Sequence, residues 1–227
     1  MYFHYSTLPS HPLQAPHTLL VLTVFAMPDG SAPPTYTAMI SEVSSLVDFK
    51  VVSDRKIADR QSRLDRMAKW HPKEGISDSV LDVSNIPGSH LTPRESEIIH
   101  TDATGLAEAI RQRRYTAVEV LEAFCHAATI AQTLTNCLTE VLFEEGLKRA
   151  AQLDEHLELT GEVVGPLHGV PVSIKDHICV KGQDTAAGYT SWAYRTVATQ
   201  DAVVVEILKK AGAVIYVKTA NPQTLLV

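Results

Sequence analysis

Cysteine is scarce in this 227-residue chain: Cys125, Cys137 and Cys179 are three in number and irregularly spaced. That excludes a disulfide framework and fits a reducing compartment, so a cytoplasmic protein is expected. Cys125 and Cys137 fall on an expected helix and an expected strand, where a small buried hydrophobe is the better reading. Nothing near Cys179 in sequence would activate a thiol. An excess of positive charge is also missing. The formal net charge is -6 and the pI about 5.9, which gives no electrostatic reason to expect nucleic acid or an anionic membrane as partner. The ten histidines are scattered, and no H-E-x-x-H or paired Cys/His spacing marks a metal site. Long apolar runs are lacking as well. Only "TLLVLTVFAM", Thr18 to Met27, stands out. It is too short to span a bilayer, and no Lys or Arg precedes it as in a signal segment. It reads as a strand or an extension. The chain has no G-x-S-x-G elbow and no G-x-x-x-x-G-K-[ST] loop, and "GQDTAAG" lacks dinucleotide spacing.

What remains is a packed protein, 45% hydrophobic and 20% charged. Residues 1–50 stand apart. "STLPSHPLQAPH" and "MPDGSAPPTY" hold six of the twelve prolines and read as an irregular extension. "VVSDRKIADRQSRLDRMAKW" is a charged helix with a thin apolar stripe of Ile57, Leu64 and Met67, expected to be a solvated surface helix. "HPKEGISDSVLDVSNIPGSHLTPRE" reads as a surface loop with turn chemistry at Pro72, Gly75, Pro87 and Pro93.

From Thr101 the pattern is that of a core. "ATGLAEAIRQRR" sets Leu106 and Ile110 one turn apart. "TAVEVLEAFCHAATIA" opens on a T-x-x-E capping box, Thr116 with Glu119, and repeats Val120, Phe124 and Ala128 along one face. "NCLTEVLF" is strand-like. "EEGLKRAAQLDEHLELTG" is a helix stopped by Gly161. "VPVSIK", then "DAVVVEILKKAG" with Asp201 as N-cap and Gly212 past its end, then "AVIYVK" spell strand, helix, strand. An α/β fold with a parallel or mixed sheet follows.

Lys175 is the candidate for chemistry, because it ends the "VPVSIK" strand where α/β sheets place their ligands. Alone, a lysine followed by an aspartate is usually a surface residue. The wider pattern decides otherwise. "GPLHGVPVSIKD" resembles the Gly-x-Leu-x-Gly-x-Pro-x-Ser-x-Lys-Asp segment of the amidase signature family. The likeness runs on through "DAVVVEILKKAGAVIYVKT" to "NPQTL". Upstream, "DSVLDVSNIP", "LTPRESEI" and "YTAVEVLEAFCHAATIAQTLTNCLTE" are similar to the fungal acetamidase branch. It covers roughly residues 50–227, so residues 51–227 are expected to be the N-terminal part of an amidase domain, an incomplete mixed sheet flanked by helices.

The resemblance implies hydrolysis of small linear carboxamides by a nucleophilic serine, a bridging serine on a cis peptide bond and a lysine, with no cofactor or metal. The lysine matches Lys175. A serine hydroxyl is a poor nucleophile until a base takes its proton. A lysine is that base only where burial or cationic neighbours disfavour its ammonium. Asp176 would oppose this if it faced Lys175, but adjacent strand residues point to opposite faces. Leu225 falls where a side chain lining the acyl pocket would be. Two departures stand against the family pattern. No Gly-Gly-Ser-Ser-Gly-Gly stretch, home of the bridging serine, occurs in the 227 residues, nor does the later nucleophile. In "KTANPQ", Ala220 takes the place of an Asn, and Asn221 stands next to Pro222. The rival reading is therefore an inactive fragment or pseudoenzyme that binds a partner or nothing. A lysine Schiff-base enzyme is a third, but no phosphate-binding loop supports it. Unpaired strand edges lead us to expect self-association.

Overall fold

The computed structural model describes residues 49–72 and 80–226. The irregular extension expected for residues 1–50 lies outside them apart from its last two residues, and so does the run Thr18 to Met27.

Three strands form one mixed sheet, in the order β1-β3-β2: β1 is Leu138–Val141, β2 is Pro171–Lys175 and β3 is Val214–Thr219. β3 is the central strand. It runs parallel to β2, with Lys175 opposite Thr219, and antiparallel to β1, with Val141 opposite Val217. The register shifts between Val172 and Ser173 on β2 and between Leu138 and Glu140 on β1. β2, the helix Val203–Lys210 and β3 make up the expected strand–helix–strand unit.

The helices follow from the sequence pattern with instructive exceptions. α1 is Phe49–Asp65, α2 Ile86–His90, α3 Pro93–His100, α4 Ala103–Arg111, α5 Ala117–Thr135, α6 Phe143–Thr160 and α7 Val203–Lys210. The stretch read as a surface loop contains α2 and the start of α3. Pro93 opens α3 rather than a turn, because a proline at the first helical position loses no hydrogen bond. The capping box is found here. The Thr92 hydroxyl accepts from the Glu95 N–H, and the Glu95 carboxylate accepts from the Thr92 N–H. At α5 only half a box forms. Thr116 accepts from the Glu119 N–H at 3.0 Å, while Glu119 turns to Arg94. Two other free N–H groups of that helix end, on Ala117 and Val118, donate to the Asp154 carboxylate of α6 at 2.6 and 3.0 Å. At α7 the N-cap is Ala202, not Asp201. The Asp201 carboxylate instead accepts from the Lys181 N–H and pairs with Lys209. Gly212 ends that stretch at φ +92, and a Cβ there would stand 2.8 Å from His168 Cα.

Packing places the core on both faces of β3. Val214, Tyr216 and Val217 join Leu121, Cys125, Phe143, Ala150 and Leu153 of α5 and α6 on one side. Ile215 joins Ile174, Val180 and Val205 on the α7 side. A third cluster, with Ile98, Leu106, Ile110, Val120 and Leu157, ties α3, α4, α5 and α6 together. Each fully buried Val, Leu, Ile or Phe among them contributes about 1.5–3 kcal/mol.

α1 is not merely solvated. Leu64 is buried in the main cluster with Trp70, whose ring meets Phe143 edge-on at 5.6 Å, while Ile57 stays exposed. Lys56, Arg60 and Arg63 of α1 face β1. Arg60 donates to the Leu138 carbonyl at 2.8 Å and to Asn136 Oδ1 at 2.7 Å, and Arg63 donates to the Val141 carbonyl at 3.3 Å.

Candidate active site

The site is built at the C-terminal end of β2, where the strand gives way to a long loop. β2 alternates as a strand must. Ile174 packs toward α7, while Ser173 and Lys175 are exposed. Asp176, next in line, is 2% exposed. Its carboxylate accepts from the Thr139 hydroxyl at 2.8 Å and from the Ala187 N–H at 2.7 Å. Its counter-charge is Lys218 Nζ at 3.8 Å. Asp176 is thus turned into the interior and engaged there, and among the described residues Lys175 Nζ has no hydrogen bond or ion pair. No described serine hydroxyl bonds to it either.

Below the strand end lies a charge network that the sequence did not announce. Lys218, one register place before Thr219 on β3, is wholly buried at 0% exposure. Its Nζ donates to the Asp184 carbonyl at 2.5 Å and the Thr185 hydroxyl at 3.1 Å. Burial pulls its pKa below the usual lysine value, against the pull of Asp176 and Glu140. Glu140 of β1 is equally hidden, and burial pushes its carboxyl up despite the bond it receives from Lys56. Lys56 also pairs with Asp184 at 3.2 Å. Burial lowers the Lys56 pKa, but the two carboxylates outweigh it and leave the ammonium favoured. For Asp184, burial raises the pKa. The Tyr194 N–H at 2.5 Å, the Thr196 hydroxyl at 2.9 Å and Lys56 overcome that and hold it ionised. The network fastens the loop after Lys175 to α1 and the sheet. Tyr194 lies within it, under Arg55 at 4.4 Å and Lys56 at 4.8 Å.

A cleft of about 240 Å³ opens beside this network. Asp176, Thr139, Gly188 and Tyr189 line it together with Ile57 and Arg60 of α1. Gly188 has φ +84, and a Cβ there would meet the Asn221 carbonyl at 2.8 Å, so the loop and the segment after β3 touch through backbone. Asn221 is buried, its Nδ2 donates to the Pro222 carbonyl at 2.9 Å, and its Oδ1 finds no partner among the described residues. Leu225, the other candidate, lies on the one-turn 3-10 helix Gln223–Leu226 with φ +57 and is 45% exposed. All three cysteines are free thiols, and burial pushes Cys125 well above the usual thiol value, which suits a packing role.

Known proteins give this geometry a context. Residues 119–227 match the family described as Amidase. A Schizosaccharomyces pombe protein that carries an amidase name is 42% identical over 183 residues, which are 79% of this chain and 34% of that protein. An acetamidase of Emericella nidulans is 42% identical over 176 residues, 75% of this chain and 31% of the relative. Among solved structures, fatty acid amide hydrolase superposes with a TM-score of 0.63 at 32% identity, over 79% of this chain and 33% of that one. The chain spans about a third of the length of the relatives it matches. The fold neighbours support the α/β reading with its small mixed sheet.

Proposed function

The chain belongs to the Amidase family over residues 119–227, and from that premise we propose that it serves the hydrolysis of small linear carboxamides, with Lys175 as the base. The carrying observation is the division of labour at the end of β2. Asp176 is held inside by Thr139, Ala187 and Lys218, and Lys175 Nζ is left without a partner among the described residues. In this reading Lys175, exposed among the described residues, becomes a base once a further segment takes its amine out of water, and it then accepts the proton lost by a serine hydroxyl as its oxygen attacks the amide carbonyl. It then helps return a proton to the leaving nitrogen, so that the C–N bond breaks to release ammonia or an amine and an acyl ester stays on the serine, which water hydrolyses to a carboxylate and the free hydroxyl. Leu225 would line the acyl side of the pocket. No cofactor or metal takes part.

A second reading has its own observation. The 227 residues hold no Gly-Gly-Ser-Ser-Gly-Gly stretch, and no described serine reaches Lys175. Loss of triad members costs many orders of magnitude in rate. We therefore propose that these 227 residues by themselves turn over no amide. No described helix is long and apolar enough to cross a membrane. The three free thiols favour a cytoplasmic protein, and the net charge of -6 disfavours nucleic acid.

Ammonia release from acetamide tests both readings. The chain alone should stay at background. A fusion to the part of the Emericella nidulans acetamidase that follows the matched region should release ammonia, and Lys175→Ala should abolish it. Lys175→Arg should not rescue, because a guanidinium stays protonated. Turnover that survives Lys175→Ala would remove the lysine from the chemistry.

A further inference from the structure

A second and larger cleft, about 720 Å³, opens at the other end of the sheet. It reaches Ile215 near the start of β3, whereas Lys175 faces Thr219 at its end. Four residues of strand separate the two, roughly 13 Å. A cleft of this size suits an organic molecule rather than a single ion. Leu142, Val180 and Ile215 form its floor, each under a tenth exposed, and Val164, 39% exposed, forms a wall.

The rim is cationic. Arg149, Lys181, Lys209 and Lys210 surround this apolar floor, against one carboxylate, Glu145. The chain as a whole is acidic at -6, so the excess is local. Lys209 is neutralised by Asp201 at 2.6 Å, and Lys210 stands 4.0 Å from Glu206 in solvent. Arg149 is different. It is half-buried on α6, and its one described bond is a long one, Nη2 to the Lys209 carbonyl at 3.4 Å. No described carboxylate lies within ion-pair distance of Arg149 or of the exposed Lys181 side chain. The guanidinium of a half-buried arginine with so little satisfied, beside a hydrophobic floor, is suited to a planar oxyanion.

We propose that this cleft binds a small organic anion with an apolar body, a medium-chain monocarboxylate being the simplest instance, with its head on Arg149 and Lys181 and its chain over Leu142, Val180 and Ile215. An inorganic anion would leave the floor uncovered, and a neutral alkane derivative would leave Arg149 unanswered. The site is separate from Lys175 and does not rest on amide hydrolysis.

Titration calorimetry on the 227-residue chain at low salt tests this with octanoate, acetate and octanol. Octanoate should saturate one site, and acetate and octanol should each bind about tenfold more weakly or worse. The double variant Arg149→Gln/Lys181→Gln should weaken octanoate about tenfold or more and leave octanol unchanged. Lys181→Glu, at an exposed position, should weaken octanoate in the same direction should the double variant fail to fold. Lys175→Ala should leave all three titrations as they are, which separates this test from that of hydrolysis. Octanol binding as tightly as octanoate, octanoate binding unchanged in the variants, or no saturation before the chain melts would each overturn the proposal.

Discussion

Replacing Lys218 by methionine separates the lysine that ends β2 from the one next to the end of β3. Met keeps the length and the apolar stem but removes the ammonium. The Asp184 carbonyl and the Thr185 hydroxyl then lose their shared donor, and Asp176 loses the cation 3.8 Å away. Asp176 retains its bonds from Thr139 and Ala187, so its charge is partly compensated. Breaking one side of a buried pair costs about 3–5 kcal/mol. The retained bonds place this case at the low end, about 3 kcal/mol. For a chain of this size that lowers the melting midpoint by roughly 6–12 °C. The double variant Lys218→Met/Asp176→Asn should lose clearly less than the sum of its single changes, because the stranded charge is gone. Lys175→Ala is the control. With an exposed side chain and no described partner, it should change stability by less than about 0.5 kcal/mol. Circular dichroism melts and urea titrations read the four variants, Lys218→Met, Asp176→Asn, the double variant and Lys175→Ala, against the parent. If Lys218→Met costs under about 1 kcal/mol, or Lys175→Ala costs more than Lys218→Met, the assignment of Lys218 to structure and Lys175 to chemistry is wrong.

Other expectations follow from single contacts. His168 is buried, its Nδ1 accepts from the Val164 N–H at 3.0 Å, and burial, reinforced by His156, holds its pKa below 6.5. The unfolded chain takes up that proton more readily, so this contribution is intact above pH 6.5 and is lost as the pH falls toward the lowered native value. His168→Asn, whose Oδ1 can replace Nδ1 as acceptor, should flatten the change in melting midpoint below pH 6.5, and an unaltered slope would assign the acid sensitivity elsewhere. Thr92→Ala should cost about 1 kcal/mol in a urea titration, since it deletes one half of a two-way cap. Size-exclusion chromatography should show the 227-residue chain self-associating through the edge of β2 that is unpaired among the described residues, and Ser173→Lys should reduce this by placing a charge on that edge. A monodisperse parent would count against that edge as a contact surface.

Periodicity and caps made much of the fold readable. Leu106 with Ile110, the strand–helix–strand order and the stop at Gly161 need only neighbours in sequence. Lys175 was singled out for a different reason, since a multi-part pattern surrounds it. Lys218 was not. "IKD" and "VKT" look alike locally, yet one lysine is on the outer strand and the other on the central one, and strand order is a tertiary property. The same limit hid Glu140, Asp184 and Lys56, which are far apart in sequence and meet only when α1 crosses β1. Asp201 misled because its carboxylate found Lys181 and Lys209 more accessible than the end of α7. The direction of the charges on α1 was equally invisible, since a basic row reads the same whether it meets water or a strand.

That row on α1 has a consequence for how the sheet can be extended. Arg60 and Arg63 occupy the outward carbonyls of Leu138 and Val141, so β1 is closed to any newcomer. β2 has no such guard among the described residues. Extension is therefore one-directional. Among the described residues, the edge left open to an extended segment, from the same polypeptide or another, is the one that carries Ser173 and Lys175. A strand recruited there brings its own side chains beside Lys175, while the arginines on the far side hold the other edge closed.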